Sequence, residues 1–172
     1  MRIRLLTPDL AVLDAAVAGG AALARALGHD VAEGWEVFGA SVVRTRDAVA
    51  ADPASTRWGT RLFVAEDPPT LVGWGGFKGP PQEGAVELGY AVAPGWRGRG
   101  VASAAVAAML SEAWAAPDVH AVLAHTLAER NASVRVLEKA GFTREGERID
   151  ADVGAVWRWR LQRPVGRGSD ER

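Results

Sequence analysis

No cysteine occurs anywhere in this chain. Its absence removes disulfides, thiolate nucleophiles, Cys-ligated zinc and any cysteine-borne acyl intermediate together. Histidine is scarce: His29, His120 and His125 are the three, and none stands four residues from another. No metal site is expected from them. Lysine is nearly missing, with only Lys78 and Lys139, and Tyr90 is the single tyrosine. A formal net charge of -1 argues against a nucleic-acid partner, because a phosphate backbone demands a basic face. No apolar run approaches the ~18 residues of a membrane span, and the start, MRIRLLTPDL, lacks the apolar centre of a signal peptide. No membrane partner and a cytoplasmic location are expected.

What is present is ordinary globular material, 48% hydrophobic and 24% charged over 172 residues. One domain over residues 1–163 is expected, followed by a polar, disordered tail over 164–172. MRIRLL alternates as a strand does. TPDLAVLDAAVAG then offers Thr7 as N-cap, Pro8 at the first helical position and Gly19 past the end. GAALARAL and the stretch from Gly34 to Pro53 continue as helices. Residues 60–67, 71–78 and 85–92 form a three-strand meander separated by PPT and GPPQEG.

Next comes PGWRGRGVASAAVAAML, a glycine turn opening a helix that runs to about residue 115. HAVLAHT is a buried strand, NASVRVLEKAGF a short helix closed by Gly141, and TREGERI and GAVWRWRL are two last strands. Three antiparallel strands followed by one strand–helix–strand crossover imply an α/β fold. Its single sheet is mixed and mostly antiparallel, with a parallel, splayed pair in the middle and helices on both faces. Ligands favour such an opening.

The turn GWRGRGVAS suits an anion, and three phosphate-binding patterns compete for it. A Walker loop needs Gly-Lys-Ser/Thr, which is absent, and a dinucleotide fingerprint would need glycine where Ser103 stands. Arg-x-x-Gly-x-Ala is matched by Arg97, Gly100 and Ala102. Gly98 and Gly100 let the backbone curl so that successive N–H groups converge, and the helix adds its positive end. Arg97 and Arg99 bring charge to the rim. On the turn alone, a plain strand-to-helix corner with solvated arginines is an equal alternative.

The downstream ERNASVRVLEKAGF, together with ELGYAVAPGWRGRGVA, resembles the GNAT superfamily of acetyl-CoA-dependent N-acetyltransferases. The resemblance spans about residues 62–161, with its nearest look to the branch of ribosomal-protein N-terminal acetyltransferases. It implies a GNAT-type acyltransferase fold and acetyl-CoA as cosubstrate. It also implies that Arg97, Gly98, Arg99, Gly100, Val101, Ala102 and Ser103 hold the pyrophosphate, largely through main-chain N–H groups. Val92 would pair with the pantetheine amides as an added strand does, and Asn131 and Ser133 would meet the cosubstrate from the short helix. Two departures stand out. The family's asparagine slot falls on Arg130, one residue before Asn131, and its frequent helix tyrosine falls on Leu137. Tyr90, a water or no residue at all is left as general acid.

Acetyl transfer to an amine needs a proton acceptor. Glu87 is the first candidate: it lies five residues before Val92, roughly 16 Å along a strand at ~3.3 Å per residue, about the reach of a pantetheine arm. His125 on the next strand is the second. GHDVAEGWEVF places Asp30 and Glu33 around Trp35, a mixture suited to a cationic amine, although an acidic helix entry over a buried Trp fits it as well. The expected activity is acetyl transfer to a primary amine, on a small molecule or a peptide N-terminus, by direct attack in a ternary complex. A non-catalytic acyl-CoA-binding module is the alternative, and a monomer or homodimer is expected.

Overall fold

The two most buried strands, β3 (Thr60–Glu66) and β4 (Pro69–Phe77), are covered on both faces, and the computed structural model assembles the rest around them. It describes residues 1–36 and 39–165. The other elements are β1 (Ile3–Leu6), α1 (Leu10–Ala18), α2 (Gly20–Leu27), β2 (Asp30–Val31), α3 (Gly39–Ala51), β5 (Ala85–Val92), α4 (Val101–Trp114), β6 (Ala121–Leu127), α5 (Ala132–Lys139), β7 (Thr143–Asp150) and β8 (Gly154–Gln162). The sheet runs β1-β3-β4-β5-β6-β8-β7, with β2 parallel beside β4. Every neighbour along that order is antiparallel except β5 and β6.

Strand alternation sorts the core into two layers. Phe63 and Val72 face α4 and α5, whose Val101, Ala105, Met109, Ala113 and Leu137 complete one cluster. Leu62, Val64, Leu71 and Trp74 face the first three helices, meeting Ala16, Leu23 and Val42. The four α4 positions recur every fourth residue, so they form one buried stripe. Helix α5 stops as its sequence predicts. Gly141 takes φ +93°, its N–H reaches Glu138 O at 3.0 Å, and that of Phe142 reaches Leu137 O at 3.0 Å, the paired bonds of a Schellman cap.

Three local expectations need correction. The α1 cap is Asp9, whose Oδ1 accepts from Val12 N at 2.9 Å, so Thr7 and Pro8 lie outside the helix. Carboxylate and hydroxyl both cap well, and the first intrahelical bonds decided the register. Asp30 and Val31 do not lead into a helix but pair with Thr70 and Leu71 of β4, filling its edge where β5 has ended at the Gly73–Val92 pair. The following helix therefore begins at Gly39 rather than Gly34. Of the expected tail, residues 166–172 lie outside the described residues.

One buried ion anchors the entry to β3. Arg61 is 6% exposed; its Nε donates to Glu112 Oε2 on α4 at 2.9 Å, and its Nη groups donate to the carbonyls of Thr56, Arg57, Gly59 and Thr60. The guanidinium thereby ties the 3₁₀ turn Pro53–Trp58 and the start of β3 to α4. Arg61→Ala is expected to destabilise the domain by about 2–3 kcal/mol, since a buried cation and its hydrogen bonds are lost while Glu112 stays 39% exposed. Arg130→Ala, which removes the exposed pair with Glu138, should cost under ~1 kcal/mol. Urea denaturation measures both, and equal losses would deny Arg61 its anchoring role.

Candidate active site

Strands β5 and β6 pair through three residues, Ala85–Ala121, Val86–Val122 and Glu87–Leu123, and then part. Beyond that point β5 keeps to β4 and β6 keeps to β8. The notch opens two clefts. One, about 510 Å³, runs past the end of β5 between α4 and α5. The other, about 600 Å³, lies under α3 and is lined by strand residues as far as His125. Tyr90 lines both.

The first cleft gathers most of the residues expected around a pyrophosphate. Val92, Arg97, Gly98, Gly100, Val101, Ala102 and Ser103 line it, as do Asn131 and Ser133. Gly98 and Gly100 take φ +73° and +81°, left-handed values that curl the turn toward α4. Gly100 is the N-cap and brings no side-chain acceptor, and the first intrahelical bond runs from Ala104 N to Gly100 O at 3.0 Å. The N–H groups of residues 101–103 thus end the helix without intrahelical partners, an anion site by construction. These features fit a bound pyrophosphate.

Side chains divide their work differently from the expectation. Arg97 Nε donates to Val92 O at 3.1 Å, so its charge also ties the turn to the strand end. Arg99 is not among the lining residues; its guanidinium lies over the Trp96 ring, 5.1 Å from the centroid. Asn131 caps α5 through Oδ1, which accepts from Val134 N at 3.0 Å, while Arg130 pairs with Glu138 at 2.7 Å. Leu137 is fully buried, so the family's tyrosine slot faces the core here. Arg135 and Lys139 also line the cleft and were missed by sequence reading. Their four-residue spacing on one face of α5 was the available signal.

The second cleft holds a charged cluster. Glu87 Oε1 lies 2.6 Å from Lys78 Nζ and 2.8 Å from His125 Nδ1. Burial works to raise the Glu87 carboxyl, but hydrogen bonds and charge from Lys78 and His125 outweigh it and hold the group below the usual carboxylate range. An ionised carboxylate only accepts, so Nδ1 carries the proton and Nε2 keeps the lone pair of the neutral ring. Tyr90 donates to Ser133 O at 3.4 Å, and burial pushes its phenol up to about 12.

Asp30, Glu33 and Trp35 do not join this cleft. They line a separate shallow pocket against α2, and Trp35 is buried edge-on to Trp74 with centroids 6.5 Å apart. The pairing of Asp30–Val31 with β4 is what turns this segment away. Among the described residues no cluster of metal-ligating side chains occurs, and no helix is long and apolar enough to cross a membrane.

Residues 2–143 match the family model described as "Acetyltransferase (GNAT) domain". The uncharacterized N-acetyltransferase YjdG of Bacillus subtilis (strain 168) is 27% identical over 144 residues, covering 82% of this chain and 86% of that protein. Among solved structures, the ribosomal L7/L12 α-N-protein acetyltransferase RimL in complex with coenzyme A superposes with a TM-score of 0.67 at 19% identity, covering 93% of each chain. A chimera of the spermidine N-acetyltransferase SpeG from Vibrio cholerae gives 0.66 at 17% identity, covering 94% of this chain and 96% of that one. The chain belongs to the GNAT acetyltransferase family. It is an acetyl-CoA-dependent acetyltransferase, which sets aside the non-catalytic alternative.

The Glu87 cluster carries a pH signature. A carboxyl held lower in the folded state stabilises the fold fully above its unfolded value, near 4.5. That contribution is lost as pH falls through the lower folded value. Stability of the wild type should therefore decline with acid in this window, and Glu87→Gln should decline less. Parallel acid profiles of the two proteins, followed by thermal melting, would show that the cluster has no such linkage.

Proposed function

We propose that the protein acetylates a primary amine by direct attack on acetyl-CoA in a ternary complex, with the cosubstrate in the α4–α5 cleft and the amine entering under α3. The observation that carries this reading is the meeting of two clefts at Tyr90, where β5 and β6 part. On one side lie an uncapped helix end and the cations Arg97, Arg135 and Lys139, which suit the phosphates of coenzyme A. On the other lies a histidine whose ring is oriented by a carboxylate. Backbone groups of β5 freed beyond Glu87 can pair with pantetheine amides as a neighbouring strand would.

Glu87 was the first candidate for the base, but its environment suits another task. Its Oε1 already takes two donors, and its lowered proton affinity makes it a weak base. His125 faces the cleft, and Nε2 holds the free lone pair. The amine nitrogen forms its bond to the acetyl carbon and gives its proton to Nε2, while the carbon–sulfur bond breaks toward the thiolate. Glu87 is the positioning residue: it fixes the tautomer and stabilises the imidazolium as it forms, as in an Asp–His pair. Lys78 keeps Glu87 ionised.

Gly100→Val should weaken coenzyme A tenfold or more, about 1.4 kcal/mol. No atom lies within 4 Å of an added Cβ in the free protein, so the folding loss should stay near the ~1–2 kcal/mol of a positive φ. Unchanged affinity by calorimetry in the folded variant would remove the turn from the cosubstrate site.

His125→Ala should lower kcat/KM for the amine by roughly 10²–10⁴-fold, leaving coenzyme A affinity intact. Glu87→Gln should lower it comparably and displace the pH–rate profile, since the amide permits the wrong tautomer. The double variant should lose little more than His125→Ala alone, because the two act as a unit. Full activity and an unchanged profile in Glu87→Gln would make Glu87 merely structural; full activity in His125→Ala would assign the proton elsewhere.

A further inference from the structure

The acceptor side of the site carries positive charge. Arg44 and Lys78 line the cleft under α3 together with the hydroxyls of Ser41, Thr45 and Thr60, and no aspartate or glutamate lines it. Lys78 is paired with Glu87 at 2.6 Å and also attracts the carboxylate of Asp150, so its charge is already matched. Arg44 is different. Its Nη2 donates to Ser41 Oγ at 2.9 Å, and among the described residues no carboxylate pairs with it. By contrast Arg46, two residues on, is pinned by both Asp14 and Asp47. The acidic side chains expected to draw a cation, Asp30 and Glu33, line a different pocket.

We propose that the acceptor is an amine that carries its own carboxylate, received by Arg44 and the neighbouring hydroxyls while its nitrogen is presented to His125. A guanidinium pairs with a carboxylate through two parallel donors, so Arg44 would orient this substrate as well as attract it. A polyamine meets the unpaired charge of Arg44 in the same cleft, and such repulsion is itself a source of specificity. The inference rests on the placement of the amine under α3 proposed above. It names a chemistry with two sources, a free amino acid and the acidic first residue of a peptide.

The test is thiol release from acetyl-CoA with matched acceptors. These are free aspartate and glutamate, their fully amidated forms, a peptide beginning with aspartate, the same peptide beginning with asparagine, and spermidine. Carboxylate-bearing acceptors should exceed their neutral counterparts by about tenfold or more in kcat/KM, and raised salt should shrink the gap. Free amino acids outrunning the aspartyl peptide would assign the small-molecule source, and the reverse order the peptide source; either supports the proposal. Arg44→Gln should raise KM for the carboxylate-bearing acceptor about tenfold, leave kcat and the amidated acceptor nearly unchanged, and be partly rescued by Arg44→Lys. Equal use of all acceptors, a preference for spermidine, or indifference to Arg44→Gln overturns the charge assignment while acetyl transfer stands. Thiol release with none of the amines overturns both.

Discussion

The parting of β5 and β6 is the constraint on which the site depends. Parallel pairing there stops after Glu87–Leu123, while β5 runs on in its hairpin with β4 and β6 in its seven pairs with β8. The twist that accumulates across a sheet then carries the two apart. Interior backbone groups cannot stay unpaired without cost. A gap in the middle of a sheet therefore asks for an extended partner with amides of its own, and an acyl-pantetheine arm has that chemistry. Had the two strands remained zipped, Tyr90 would have no second face to line and His125 no cleft to face.

The same divergence explains why a charged cluster can exist so close to the core. Glu87 is the last residue of β5 paired with β6, and His125 lies two residues beyond its partner Leu123, on the same face. The two side chains thus meet where the sheet is still closed enough to hold them and already open enough to hydrate them. Each is about one-quarter exposed, whereas Lys78 is 59% exposed. Lys78 supplies the charge that keeps Glu87 ionised without burying a second ion, which limits the desolvation cost of the cluster.

Much of the fold was legible because its signals are local. The Arg-x-x-Gly-x-Ala turn, the alanine-rich helix behind it and the Gly141 cap each follow from backbone conformations that few residues allow, and all stand where expected. The acidic segment around Trp35 failed for the opposite reason. Whether Asp30–Val31 leads into a helix or adds to the sheet depends on β4 having a vacant edge, a property of the tertiary fold. Glu87 and His125 were both singled out, but their roles depend on a cross-strand contact over 38 positions, which no spacing in one chain reports. Arg44 was passed over because a helix arginine looks the same whether it has a carboxylate partner or lacks one.

Tyr90 shows how magnitude separates two chemical roles at one position. A phenol at about 12, facing a thiol near ~8.5, would lose roughly 5 kcal/mol on complete proton transfer. That loss is large enough to make Tyr90 a poor source of a whole proton for the departing sulfur. It is no obstacle to donating a hydrogen bond, and a buried hydroxyl that never ionises at neutral pH is a dependable donor. Its present bond, 3.4 Å to the Ser133 carbonyl, is long and readily exchanged for a stronger acceptor. A developing thiolate beside it would be such an acceptor, and because a thiolate is already a stable leaving group, solvent can deliver the proton afterwards. The missing helix tyrosine at Leu137 therefore removes little that the reaction requires.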